Sequence, residues 1–225
     1  MSNYAASKMK AADLLLKAQA ITIDQHISIE ANVKRSGERA EEVIIDAGVM
    51  SEAELLRALS GAYRTHFVST DKLSKAEIPR ATVQMVPRRV AETLGVFPVM
   101  FDAENNVLSV VTADPDNESM LREIQLVSGA KQVKAFVTRP AAVSAAILKH
   151  HVVSGWITSN QLGRRTVVTT LAGDQLVVRK VRVFEGRGIH RRLVTKVTVD
   201  GVRVFLPDVK ATNGVIHVIG GVLLP

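Results

Sequence analysis

"VFPVMFDAENNVLSVVTADPDNESMLREIQLVSGAKQVKAFVT" (residues 96–138) switches its hydrophobic period from strand to helix and back. Residues 96–112 read as strand, Asn-containing turn and strand. "NESMLREIQLVSG" takes helical spacing, with Leu121, Ile124 and Val127 or Leu126 on one side and Gly129 as its stop. "KQVKAFVT" returns to strand, and "PAAVSAAILKHH" follows as a helix with Pro140 in its first turn. The order β-β-α-β-α predicts a small α/β sandwich with helices laid on a sheet. Asp114, Asp116 and Glu118 form an acidic turn, expected to cap the helix 117–128.

Upstream, residues 5–63 are helical in character. "AADLLLKAQA" spaces its apolar residues as a helix does, and Thr22 opens a new segment with Asp24 following. In "RAEEVIIDAGVMSEAELLRALSGAY", Gly48 ends one helix and Ser51 caps the next. Glu54 stands three residues on, the capping-box spacing, and Leu55, Leu56 and Leu59 form the buried stripe. "PRRVAETLG" is a short helix stopped by Gly95. Downstream, "TVVTTLAGDQLVVRKVRVF" reads as a hairpin about Gly173-Asp174. "LVTKVTVDGVRVFLPDV" reads as another, turning at Asp200-Gly201. A last strand follows Asn213-Gly214 in "ATNGVIHVIGGVLLP". The expected class is α+β: a helical bundle (1–66), an α/β sandwich (67–150) and a mostly antiparallel β module (151–225).

The chain has 225 residues, 47% hydrophobic but only 4% aromatic, so its cores must be aliphatic. The absence of cysteine excludes disulfides and thiolate metal sites. No apolar stretch approaches the ~20 residues of a membrane helix. "MSNYAASKMKAADLLLKAQAITI" is interrupted by Asp13 and Lys17 and does not read as a signal peptide, so the cytoplasm is the expected compartment. Residues 1–150 hold 18 basic and 18 acidic side chains, and residues 151–225 hold 11 and 4. The whole net charge of +7 therefore lies after residue 150, and the composition shift predicts a domain boundary there.

The histidines point away from metal chemistry. His150 and His151 are adjacent and diverge, so a zinc site from His150, His151, His190 and His217 is not expected. His151 is expected to be a buried hydrogen-bonding group and His150 exposed. His217 shares a strand face with Val215 and Ile219, opposite Ile216 and Val218. Nothing supplies a nucleophile with an orienting acid, so His217 is expected to bond a neighbouring strand or turn. Arg179, Lys180, Arg182, Arg187, Arg191, Arg192, Lys196 and Arg203 alternate with Val181, Val183, Val197 and Val199. They read as the polar face of two hairpins or as a surface for an acidic partner. With Phe184 as the aromatic counted beside them, no specific nucleic acid is expected. No G-x-x-x-x-G-K-[ST] occurs, and "FEGRGIHRR" has the wrong spacing for a phosphate cradle.

Residues 9–150 resemble the N-terminal, MshEN-type domain of type II secretion and type IV pilus assembly ATPases. "RAEEVIIDAGVMSEAELLRALSGA" matches that family's motif at Arg39, Ile44, Gly48, Leu55 and Leu59. It departs at Ala40 and Glu41, where Leu-Gly is expected, and at Ala62, where Gln is expected. An earlier copy, "KAADLLLKAQAITIDQHISIEANV", has Lys10 for Arg and Gln19 for Gly. The resemblance implies that these five positions are nucleotide-binding candidates, because some members bind cyclic di-GMP through the tandem motif. Glu41 places a negative charge where an anionic ligand would lie.

Residues 146–225 resemble the C-terminal half of a fasciclin domain. "ILKHHVVSGWITSNQL" is similar to that family's Tyr-His-Val-Val-Pro-Gly segment, with His150 at the Tyr position and Ser154 at the Pro position. "VTVDGVRVFLPDVKATNGVIHVIGGVLLP" follows its strands, and His151, Asn213, Gly214 and His217 fall on structural motif positions. The family's N-terminal half is not found upstream. The resemblances together imply a non-catalytic protein that docks on secretion or pilus machinery. It would need no cofactor, and cyclic di-GMP would be its one small ligand. The alternative is a fasciclin-like adhesion protein at the cell surface, which requires export.

Overall fold

A computed structural model describes residues 3–185, 192–221 and 223. The chain divides at Ala146/Ile147 into two units, Met1–Ala146 and Ile147–Pro225. The division falls inside one helix, four residues before the composition shift.

The first unit opens with helices α1 (Asn3–Lys17), α2 (Ile23–Ser36), α3 (Ala40–Asp46) and α4 (Glu52–Tyr63). Their boundaries are written locally. Thr22 with Gln25 caps α2 reciprocally, and Ser51 with Glu54 does the same for α4. Gly48 leaves α3 at φ 65°, a left-handed backbone region that glycine enters most easily. The four helices close over Leu15, Ile29, Val33, Ile44, Leu55 and Leu59. Ile44 and Leu55 are wholly inaccessible to solvent, and Leu15, Ile29 and Leu59 nearly so. Each such aliphatic side chain contributes about 1.5–3 kcal/mol relative to exposure.

Three short helices, α5 (Thr70–Lys75), α6 (Arg80–Gln84) and α7 (Arg88–Leu94), lead into the sandwich. Strand β1 (Val96–Asp102) pairs antiparallel with β2 (Val107–Thr112) through a turn in which Asn106 takes φ 53°. Helix α8 (Glu118–Ser128) then crosses to β3 (Gln132–Val137), which lies parallel to β2. Parallel pairing needs such a crossover. The sheet order is β1-β2-β3. Phe67 adds a parallel bridge to Val137 on the outer edge of β3, held by Val68 N–H to Val137 O and Val137 N–H to His66 O.

One sequence expectation changes in α8. Met120 and Ile124 are the buried residues, whereas Leu126 is 83% exposed and Val127 is exposed too. Met120 lies one turn before Ile124, so the buried stripe is displaced toward the start of the helix, with the expected Leu121 packed beside it.

Helix α9 (Pro140–Leu148) and a 3-10 turn (Lys149–His151) lead into the second unit. Its strands are β4 (Arg165–Thr169), β5 (Gln175–Glu185), β6 (Arg192–Val199), β7 (Val202–Ala211) and β8 (Gly214–Ile219). They form an antiparallel meander in sequence order, so β4 and β8 are its edges. Asp200 (φ 45°) and Gly201 (φ 83°) make the tight turn that their sequence announced. At the last hairpin Gly214 already pairs with Ala211. The turn residues are therefore Thr212 and Asn213, and Gly214 begins the strand rather than closing the turn. The register breaks twice along β7, between Val204 and Leu206 and between Leu206 and Val209. Asp208 sits in the second break at φ 60°.

The core of this unit is small: Leu162, Val178, Val197 and Val204, with Ile157, Val168, Val199 and Ile219 against them. No helix of the described chain is long and apolar enough to cross a membrane. Residues 186–191, with Arg187, His190 and Arg191, and the terminal Pro225 lie outside the described residues.

Candidate functional site

In the first unit, charge collects where the helices meet the sandwich. Arg39 precedes α3 and reaches Asp114, in the turn after β2. Its Nη1 donates to Asp114 Oδ2 at 2.7 Å and its Nη2 to Oδ1 at 3.0 Å. The same guanidinium donates to Glu41, from Nε at 3.2 Å and Nη2 at 2.8 Å. Its fork is thus shared between two carboxylates, each held bidentately. Lys10 lies 29 residues before Arg39, as Gln19 lies 29 before Gly48. Lys10 bonds Asp116 at 2.5 Å. Gln19 takes φ 57° where Gly48 takes 65°. The two motif copies therefore place their cations on one acidic turn.

The acidic turn has a role that local reading missed. Asp114 and Asp116 pair with Arg39 and Lys10 instead of capping α8. The cap is Asn117, whose side chain accepts the Met120 N–H at 3.1 Å. A second tie runs alongside. Arg139, before α9, bonds Glu42 and, at 3.4 Å, Glu52. Glu42 also accepts the Ala141 N–H, and Glu52 the Thr70 N–H.

The electrostatics follow from burial. Glu41 is 1% exposed. Burial pushes its carboxyl above the ordinary range, against the pull of Arg39. Burial opposes the charge on Arg39, but the bonds to Asp114 and Glu41 outweigh it and hold the guanidinium protonated. Burial also raises the Tyr63 hydroxyl, and Asp114, Asp116 and Glu41 push the same way. That hydroxyl is buried and has no hydrogen-bond partner among the described residues. The Lys10 ammonium stands 5.5 Å from the Tyr63 ring centre.

The five nucleotide-binding candidates occupy these places. Arg39 is in the ionic tie. Ile44, Leu55 and Leu59 are core, each at most 1% exposed. Gly48 serves the helix end, where Val49 N–H bonds Ile44 O at 3.0 Å.

In the second unit, the residues of the fasciclin-like motif hold backbone in place. His217 Nε2 lies 2.9 Å from Ile157 O, which can only accept, so Nε2 carries the proton. Its Nδ1 accepts the Asp208 N–H at 3.4 Å. His151 takes the other tautomer. Its Nδ1 faces Ile147 O at 3.3 Å, and its Nε2 accepts the Leu223 N–H at 2.8 Å. The expectation for the histidine pair reverses. His150 is the buried one, 5% exposed and paired with Asp174, while His151 is half-buried. The 3-10 turn directs His150 inward, which helical or strand periodicity did not foresee.

Ser159, Asp208 and His217 gather, but in the wrong order for nucleophilic catalysis. The Ser159 hydroxyl donates to Asp208, not to the histidine. The bonds from Ser159 hold the Asp208 carboxyl below its ordinary range, so it is a weak base. Instead, the segment 157–159 is strapped across the inner sheet face. His217 bonds Ile157 O, Asp208 bonds Ser159, and Lys180 bonds Ser159 O at 3.0 Å. Among the described residues, no three His, Asp or Glu side chains gather as a metal site.

Comparison with known proteins finds two families whose matches overlap across the division. The chain is 26% identical over 110 residues to the type IV pilus assembly ATPase PilB of Thermus thermophilus, covering 49% of this chain and 12% of that one. It is 34% identical over 80 residues to an uncharacterized protein of Synechocystis sp., covering 36% of this chain and 50% of that one. The chain thus spans half of the cyanobacterial protein and far less of the ATPase. Among solved structures, MshE with cdg aligns at 18% identity and a TM-score of 0.47, over 60% of this chain and 94% of the other. The N-terminal domain of XpsE aligns at 16% and 0.43, over 65% and 95%. Residues 63–152 match the sequence model of the MshEN domain, residues 114–225 match that of the Fasciclin domain, and 114–152 are common to both.

Proposed function

We propose that the chain is a non-catalytic docking module of the kind found at the N-terminus of secretion and pilus ATPases, acting in the cytoplasm. The observation that carries this reading is the MshEN match over residues 63–152. The packing supports it. Arg39, Lys10 and Arg139 fasten the helical layer to the sandwich, and the carboxylates they hold are not free for acid–base work. On α2, Ile23 and Ile27 stand one turn apart, 67% and 58% exposed. They are the apolar pair this reading assigns to the contact. Arg39 acts as a fastening in this account, not as a nucleotide ligand.

The test is co-purification of the full chain with the assembly ATPase and membrane platform proteins of a pilus or type II secretion system. Retention is expected, with loss in Ile23→Ser/Ile27→Ser. Passage of the wild-type chain without retention would contradict the proposal.

The Fasciclin match over 114–225 favours a second reading, adhesion at the cell surface. Cell fractionation separates the two. Docking predicts the protein with the cytosol or the inner face of the machinery, and adhesion predicts it outside.

A further inference from the structure

Independently of how the first unit docks, the outer sheet face of the second unit carries a row of like charges. Pairing register puts Arg165 opposite Arg179, Arg179 opposite Thr198, and Thr198 opposite Arg203. Directly paired residues share a face, so three arginines line up across four strands. Strands in a sheet are about 4.8 Å apart, and like charges set directly opposite destabilise it.

None of the unit's acids pairs with this row, although Glu185, on the same face, attracts Arg203 at longer range. Asp174 is paired with His150, Glu185 with Lys196, and Asp208 with Ser159. Asp200 accepts the Val177 N–H in its turn. Among the described residues none of the three arginines has an ion-pair partner. Their face also holds exposed Val167 and Val181, at 43% and 48%. It holds Phe205, 62% exposed, whose ring centre is 5.3 Å from the Arg203 guanidinium. The ring is set in place from behind. A methyl group on Gly220 would come within 2.3 Å of it, so that glycine leaves the space the ring fills.

We infer that this face binds an acidic protein segment whose carboxylates alternate with aliphatic side chains. Carboxylates would pair with the arginine row, and aliphatic groups would cover Val167, Val181 and the Phe205 ring. Interleaved valines favour such a segment over a single-stranded nucleic acid, which needs flat rings to stack on, and Phe205 is the ring this row offers. The sequence alone credited Phe184. Register instead places Phe184 opposite Leu193, on the other face.

Fluorescence anisotropy with the full chain tests this. The probes are a labelled Glu-Val repeat peptide, a Glu-Ser repeat peptide of equal charge, and oligothymidylate. The Glu-Val peptide is expected to bind saturably and more tightly than either other probe. Arg179→Glu, and separately Arg165→Glu, should weaken it at least about tenfold while Lys72→Glu on α5 does not. Circular dichroism melts establish that each variant is folded. Absence of saturable binding, equal binding by both folded arginine variants, equal affinity for the Glu-Ser peptide, or preference for oligothymidylate would each overturn the inference.

Discussion

The two units use the same residue types in opposite ways. In the first, cations are matched: Arg39 to Glu41 and Asp114 and Arg139 to Glu42 in half-buried sites, and Lys10 to Asp116 nearer the surface. In the second, Arg165, Arg179 and Arg203 lie on an open sheet face without such partners. The cores differ as well. The helical layer buries Ile44 and Leu55 completely, whereas Leu162, Val178, Val197 and Val204 retain 5–9% exposure. Charge fastens layers in one unit and faces outward in the other. Net charge by itself therefore does not tell a binding surface from a joint; the positions of the counter-ions do.

The comparison breaks most visibly at Arg39. Arg39→Met strips Glu41 of its counter-charge in a buried site, which is expected to cost about 3–5 kcal/mol in urea unfolding. Arg39→Met combined with Glu41→Leu should recover the part of that loss due to Glu41, because an apolar pair replaces a buried ionic one, while the part due to Asp114 remains. Arg179→Met, on the open face, should change stability by less than about 0.5 kcal/mol.

Core truncation is next in size. Leu55→Ala should cost about 2–5 kcal/mol, and Val178→Ala about 1–2 kcal/mol, since less is removed from a less enclosed site. Equal losses would mean that the second core is as tight as the first.

The pH dependences should have opposite signs. Burial raises the Glu41 carboxyl above its unfolded value, so its contribution is full below the ordinary glutamate range. That contribution is lost as pH rises through the folded value. Glu41→Gln should therefore gain on wild type as pH rises out of that range toward neutrality. Bonds from Ser159 lower the Asp208 carboxyl, so its contribution is present above the ordinary aspartate range and lost as pH falls. Asp208→Asn should lose its disadvantage on acidification. Denaturant midpoints measured across pH for both variants check the two signs.

A smaller loss than core truncation belongs to the turn. Gly201→Ala forces a side chain into φ 83° and should cost about 1 kcal/mol, read as a lowered melting temperature.

What was legible in the sequence was local. Ser51 and Glu54 announce a helix start because both partners lie within one turn, and Asp200-Gly201 announces a hairpin for the same reason. The acidic turn itself was legible but its partners were not, since Arg39 and Asp114 are 75 residues apart and only packing brings them together. Glu41 reads as a misplaced charge until its counter-ion is seen. His150 and His151 differ by one position, and no periodicity decides which turns inward at a 3-10 turn. The arginine row was half visible: composition gave the charge, but only register separates Arg179 from Lys180 and Arg182, which lie on the opposite face.

Whether Arg39 fastens or binds is the claim on which the functional account turns. Calorimetric titration of the full chain with cyclic di-GMP at micromolar concentration tests it directly. The account predicts no saturable heat and no thermal shift, because Glu41 and Asp114 already occupy the guanidinium. Saturable heat with a matching rise in melting temperature would contradict it.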